Sequence, residues 1–300
     1  MKRATKLFAV ITAAVMLMAG TATAATTNVN VTINNILTPI EESGQSGRVG
    51  WEKGIVEAVG TGFAPDNARS ITHGTALARR AAILDAQRNL LEAIQGVQVD
   101  SETTMRNLEI TSDVVQTKVS GLLKGAKIVR QQAMPDGSYQ VVMSINLYGN
   151  DSLASVALNA IKNEQPVENF PAPAPSYIPP VMNDTALYTG VIIDARGLGL
   201  ESTFSPRVYD ESNTIVYGNK YIDVNYAISQ GMVDYAITPE MVQAAENGQS
   251  RAGLRPLVIK ALRVVDNDCN IVISTADANA MLAYNQNAGF LRKCAVVFER

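Results

Sequence analysis

Apolar and polar residues follow two different periods along this chain, and each change of period marks an element. From Ile71 to Val99 apolar positions recur at seven-residue steps: Ala76, Ile83 and Leu90 beside Leu77, Leu84 and Leu91, with Ile94 closing the series. That spacing predicts a helix with one broad apolar stripe, leaving Arg79, Arg80, Asp85, Arg88 and Glu92 toward the other side. Ser70 or Thr72 can cap its start. Gly96 stops it, and Val97 and Val99 open a stretch of period two, read as a strand to Leu108.

Around this helix the pattern predicts a small domain over residues 51–162. Gly54–Phe63 alternates as a strand should. Ser112–Leu123 reads as a second helix with Val114, Val115, Val119, Leu122 and Leu123 on its apolar face. Lys127–Ala133 and Tyr139–Leu147 are strands joined by Met134-Pro135-Asp136-Gly137-Ser138, a hairpin turn signal. Ser152–Lys162 closes the domain as a short helix. The expected class is α+β, with order β-α-β-α-β-β and helices packed on one face of a sheet.

Residues 163–183 hold six of the twelve prolines, a composition that favours an extended, semi-rigid spacer. Beyond it, 184–300 reads as a second α+β domain of unknown type. It has strands at Tyr188–Asp194, Leu257–Val265, Ile271–Ser274 and Lys293–Phe298. A hairpin is expected at Arg207–Asp210 and Thr214–Tyr217, with a short helix at Pro239–Glu246. A helix runs from the capping box at Ser274 to about Asn287.

The N-terminus changes the picture of where the chain resides. MKRATK is basic, LFAVITAAVMLMAG is an apolar run of about 14 residues, and Ala22-Thr23-Ala24 has the small-x-small form of a cleavage site. Residues 1–24 are expected to be a secretory signal, because a membrane span needs roughly 20 apolar residues. No cysteine lies near that point, so lipid attachment there is not expected, and no later segment is long and apolar enough to span. Residues 25–50 are polar; Val29, Val31 and Ile33 could form a short strand, and Glu41–Gly50 reads as a flexible tether. Losing Lys2, Arg3 and Lys6 with the signal moves the formal charge from −3 to −6. A mildly acidic chain without basic clusters argues against nucleic acid as a partner. At 47% hydrophobic and 18% charged, the composition is that of a globular protein with room for two cores.

Candidate chemistry is sparse. His73 is the single histidine, which removes most triads and zinc sites; a surface position is the simpler expectation for it. Gly60-Thr61-Gly62 and Gly197-Leu198-Gly199 lack the context of a dinucleotide fingerprint and read as turns or bulges. Asp266-Asn267-Asp268 reads as a hairpin turn. Asp194, Asp210, Glu211, Asp223 and Asp234 could in principle supply the two facing carboxylates of a glycosidase. Cys269 and Cys294, the only cysteines, could pair in an exported chain; two separate buried thiols are the other possibility. Trp51, the only tryptophan, is either a partner anchor or a core-edge residue. No catalytic, cofactor-binding or metal-ligating residue is assigned.

The stretches ARRAAILDAQRNLLEAIQGVQVDSETT, SDVVQTKVSGLLKGAKIV and PDGSYQVVMSINLYG are similar to a domain of bacterial envelope proteins. Two groups share it: a small outer-membrane lipoprotein family (the Lpp-twenty type) and the N-terminal domain of the flagellar assembly protein FlgT. The resemblance covers Gly54–Tyr148. It rests on Ala78-Arg79-Arg80-Ala81-Ala82, Gly96-Val97, Gly121, Lys124-Gly125-Ala126 and Asp136-Gly137. It implies no catalytic residues and no cofactor, only a structural or adhesive role. Expected partners are envelope or flagellar basal-body proteins, or further copies of the chain, with Arg79 and Arg80 as possible contacts beside Trp51. The expectation is therefore an exported, non-catalytic protein of the periplasm or cell envelope, or secreted, acting by binding or assembly. The alternative is a secreted hydrolase of cell-wall carbohydrate using acids of the second domain.

Overall fold

The computed structural model describes residues 41–42, 47–162, 166–177 and 187–300. The signal segment and the strand expected at residues 29–33 lie outside the described residues. What is described is an α+β protein of two domains whose cores merge into one hydrophobic cluster.

The first domain is built on a five-stranded antiparallel sheet in the order β1-β2-β3-β5-β4. Its strands are β1 (Glu41–Glu42), β2 (Gly47–Gly50), β3 (Ile55–Phe63), β4 (Lys127–Ala133) and β5 (Ser138–Asn146). β1 and β2 replace the expected tether, because Val49 opposite Val56 gives the segment a buried position and a register. β3 and β5 pair along their whole lengths, from Ile55 opposite Asn146 to Phe63 opposite Ser138.

Helix α1 (Ile71–Gln95) lies across this sheet, capped by Ser70, whose side chain accepts from the His73 N–H. The buried line is not the Leu/Ile stripe. It runs through Gly74, Ala78, Ala82, Ala86, Leu90, Ala93 and Ile94, whereas Leu84 is 59% exposed. The reason lies in β3, whose inward row is Val56, Ala58, Gly60 and Gly62. A Cβ on Gly60 would sit 2.1 Å from the Ala86 nitrogen, and one on Gly62 2.1 Å from the Ala78 carbonyl. The two glycines are therefore not a turn or bulge. They sit in mid-strand where the helix backbone comes close, and such an approach requires small side chains on both surfaces.

The strand expected at Val97–Leu108 is instead one isolated bridge, Gln98 to Thr104, followed by helix α2 (Met105–Thr111). Thr104 makes a stop-and-start here, since its hydroxyl accepts from the Asn107 N–H and caps the helix. Helix α3 (Asp113–Lys124) follows with Ser112 as cap, burying Val115 and Val119 but leaving Val114 exposed. Helix α4 (Leu153–Ala160) ends the domain.

The second domain holds two four-stranded sheets. One, in the order β10-β6-β13-β9, is parallel throughout. Its strands are β6 (Gly190–Asp194), β9 (Asp234–Ala236), β10 (Pro256–Lys260) and β13 (Val296–Glu299). Helix α6 (Pro239–Glu246) covers one face through Val242 and Ala245, and helix α7 (Thr275–Ala288) contributes Ala278, Met281 and Leu282 to the main core. The other sheet is β11-β12-β7-β8, from β7 (Val208–Tyr209), β8 (Ile215–Tyr217), β11 (Arg263–Val265) and β12 (Asn270–Val272). Helix α5 (Val224–Gln230) precedes β9. The expected strand Leu257–Val265 is split, because the chain leaves one sheet at Ala261 and joins the other at Arg263.

The domains meet through aromatic rings. Trp51 packs edge-on to Phe204 at 5.1 Å and to Tyr235 at 5.7 Å, and Tyr148 meets Phe204 at 6.0 Å. The backbone is joined there too: the Gly149 N–H donates to the Ile228 carbonyl (2.8 Å) and the Ser205 N–H to the Val99 carbonyl (3.0 Å). The described part of the proline-rich segment, 166–177, forms no helix or strand. It is pinned on the second domain by Phe170, 4.9 Å from the Tyr221 ring, and by the Ala174 N–H donating to Asn279.

Candidate functional site

The residues that sequence reasoning singled out are scattered and mostly structural. Trp51, at 7% exposure, belongs to the domain junction rather than to a partner surface. His73 is exposed at the start of α1, where its Nδ1 accepts from the Arg69 N–H. Arg79 donates to Gln131 of β4 (2.7 Å) and Arg80 is exposed. Neither pairs with Asp85, which instead accepts from the Thr61 N–H (2.9 Å) and pairs with Arg88 at 3.6 Å. Cys269 and Cys294 are two free, buried thiols. Cys269 donates to the Asn267 carbonyl, and burial pushes its pKa up to about 11. Cys294 is shifted the same way by the same cause. Both therefore stay protonated at neutral pH.

Each of the carboxylates considered for hydrolysis has a partner within the fold. Asp210 accepts from the Ser212 and Thr214 N–H groups in a turn, and Glu211 accepts from the Thr275 N–H. Asp223 caps α5, and Asp234 pairs with Arg251 at 2.6 Å. Asp194 takes two bonds from Arg196, at 2.8 and 2.9 Å, and these hold its carboxyl below the usual range. Among the described residues no group of three His, Cys, Asp or Glu side chains could hold a metal ion.

One charged row was missed. Lys260, Asp194 and Glu299 are register neighbours at the carboxyl ends of β10, β6 and β13. Glu299 is 1% exposed, and neither of its carboxylate oxygens has a hydrogen-bond partner. The nearest cation is Arg196, 3.5 Å away. Burial raises the Glu299 pKa, Arg196 opposes, and Glu246 and Asp194 add to the rise. The strand pattern could have shown it, since Glu299 continues the inward alternation of Val297, but the strand was expected to stop at Phe298.

The other missed residues lie at the end of the first sheet remote from the junction. Phe63, the last residue of β3, is 66% exposed, and Ile71, the first of α1, is 91% exposed. Phe63 belongs to the outward row Ile55, Glu57, Val59, Thr61 and Phe63, so no helix covers it. Its register partner Ser138 places the β4–β5 turn beside it, where Ala133 and Pro135 are exposed as well. A second exposed apolar pair, Ile110 and Val114, stands at the elbow between α2 and α3.

Residues 61–146 match the LPP20 lipoprotein family. The first domain is thus an LPP20-type domain, and Phe63, Ile71 and the β4–β5 turn all lie inside the match. It supports the lipoprotein side of the sequence resemblance and leaves the flagellar side unsupported. Residues 190–298 match the second domain of Treponema pallidum Tp0624, a span that takes in the parallel sheet except its last residue, Glu299. No curated protein matches the chain. No helix among the described residues is long and apolar enough to cross a membrane.

Proposed function

We propose that this chain is an exported cell-envelope protein that works by binding or assembling with other envelope proteins, and that it is not an enzyme. The remote end of the LPP20-type domain is its contact surface. The observation that carries this reading is the exposure of Phe63 beside the β4–β5 turn, with Ile71 exposed at the start of α1. Single exposed apolar residues are ordinary, but two large ones at the end of the sheet that the second domain does not cover fit a partner site. The likeness to a lipoprotein family supports an envelope location, in the periplasm or at the outer membrane. Partners are expected among envelope proteins, with flagellar basal-body components and further copies of the chain to be tested. The hydrolase alternative gains nothing from the acids of the second domain, each of which is occupied by a turn, a cap or an arginine.

The test is fractionation of native cells followed by crosslinking from position 63 with a photoreactive side chain. An envelope-bound chain that crosslinks from position 63 to one defined protein, and not from an exposed control position such as Lys293, supports the reading. Recovery free in the medium, or equal crosslinking from both positions, overturns it.

A further inference from the structure

Where β4 begins, the edge of the first sheet has a notch. The hairpin register ends at Lys127 opposite Ser144, so the last two residues of β5, Ile145 and Asn146, have β3 on one side and no strand on the other. Helix α3 and the start of α4 close this gap into a cavity of about 610 Å³. Sites for small molecules usually measure roughly 300–1,000 Å³. The α3 wall is kept low by Gly121 and Gly125, and a Cβ on Gly121 would meet nothing within 4 Å. Ile145 and Val156 form the floor, but at 6% and 5% exposure they have little surface left to bury, so polar groups must carry any affinity.

Lys127, Ser144 and Asn146 lie on one face of the sheet, the first two as register partners and Asn146 two residues on. Lys118 joins them from α3, and Asp151 lines the cavity from the segment before α4. Ser144 is 8% exposed, yet its hydroxyl has no hydrogen-bond partner among the described residues; a buried hydroxyl ordinarily has one. The side chains of Lys118, Lys127, Asn146 and Asp151 make no ion pair or hydrogen bond either, so both signs of charge share the cavity without pairing. Just outside it, Lys124 ends α3, and Glu57, across from Ser144 on β3, lies under the influence of Lys53. Net charge therefore does not select the ligand; the placement of the signs on separate walls does. We propose that the notch binds a short peptide with both termini free. Its carboxylate meets Lys118, Lys127 and the Ser144 hydroxyl, and its ammonium meets Asp151, each through charge-assisted bonds. A purely anionic ligand would set its charge against Asp151, and a purely cationic one would set its charge against both lysines.

Calorimetric titration of the full chain with trialanine tests this against N-acetyl-trialanine, which lacks the ammonium, and trialanine amide, which lacks the carboxylate. Saturable one-to-one binding of trialanine, at least tenfold tighter than either blocked form, is expected. Lys118→Gln with Lys127→Gln should weaken trialanine at least tenfold and leave the weaker binding of the amide unchanged. Asp151→Asn should weaken trialanine and leave the acetylated form unchanged. All three side chains are exposed, so thermal melting should stay that of the wild type. Gly121→Phe should fill the notch and abolish binding without lowering the melting temperature, because the space beside Gly121 is open. Phe63→Asp should leave trialanine binding intact, which separates this proposal from the contact surface. No saturable heat with trialanine, either blocked form binding as tightly, or trialanine affinity unmoved by the lysine and Asp151 substitutions overturns it.

Discussion

The two ends of the five-stranded sheet start from similar material and reach opposite fates. Next to Ile55 and Tyr148, the sheet abuts the second domain, and Trp51 disappears between Phe204 and Tyr235. Next to Phe63 and Ser138, no second domain arrives, and Phe63 and Ile71 stay in water. A large aromatic ring buries about 150–250 Å², worth on the order of 4–6 kcal/mol at about 25 cal/mol per Å². At the junction that term stabilises the fold. At the remote end it stays available for association. Apolar content alone does not identify a partner site; what matters is whether the chain's own second half covers it.

The largest expected effect falls at the covered end. Trp51→Ala should lower unfolding stability by about 3–5 kcal/mol, the usual loss for a buried large aromatic. Denaturant unfolding should show a single transition for both domains in the wild type. A loss below about 1 kcal/mol would mean that the domains do not share a core. Next comes the seam between α1 and β3. Gly60→Val should cost at least about 1–3 kcal/mol through overpacking, because even its Cβ would press on the Ala86 backbone. Thermal melting that matched the wild type would show that the helix does not lie so close.

Glu299 gives a smaller, pH-dependent effect. Its folded pKa is raised by burial, so the folded state holds the proton more tightly than the unfolded chain does. Its favourable contribution is then complete below the ordinary carboxylate range, about pH 4, and is lost as pH rises through the raised folded value. Glu299→Gln should melt higher than the wild type at pH 7, and the gap should close below about pH 4. Burial raises Glu52, Glu57 and Glu109 as well, so the variant should show a reduced pH slope rather than a flat one. A variant that melts lower at pH 7 would mean that the Arg196 pair outweighs the burial. Smallest of all, Phe63→Asp with Ile71→Asp should change stability by no more than about 0.5 kcal/mol, as surface substitutions do.

Local signals in the sequence carried much of the fold. The alternation of Gly54–Phe63, the Pro135-Asp136-Gly137 turn, and the caps at Ser70 and Ser274 all gave elements within a residue or two of the observed ones. The face of α1 was harder to read. Counting apolar side chains favours Leu77, Leu84 and Leu91, but the packing surface is chosen by Gly60 and Gly62 on another element, and only alanines fit there. Thr104 turned an expected strand into a helix start, because a hydroxyl that caps competes with continued pairing. Helix α5 and strand β9 carry too few residues to show a period.

The candidate contact site was half legible. Phe63 sits on the outward row of its strand by simple alternation, which can be read from sequence. Which end of that strand another domain covers is long-range information, and no local pattern holds it. Trp51, as the single tryptophan, was the more visible choice and lies at the covered end.

The most direct test of this account is quantitative capture of envelope proteins by the full chain, comparing the wild type with the Phe63→Asp, Ile71→Asp double variant at matched thermal stability. One defined envelope partner is expected with the wild type and at least tenfold less of it with the variant, while Lys293→Glu leaves recovery unchanged. Equal recovery with the wild type and the double variant would contradict it.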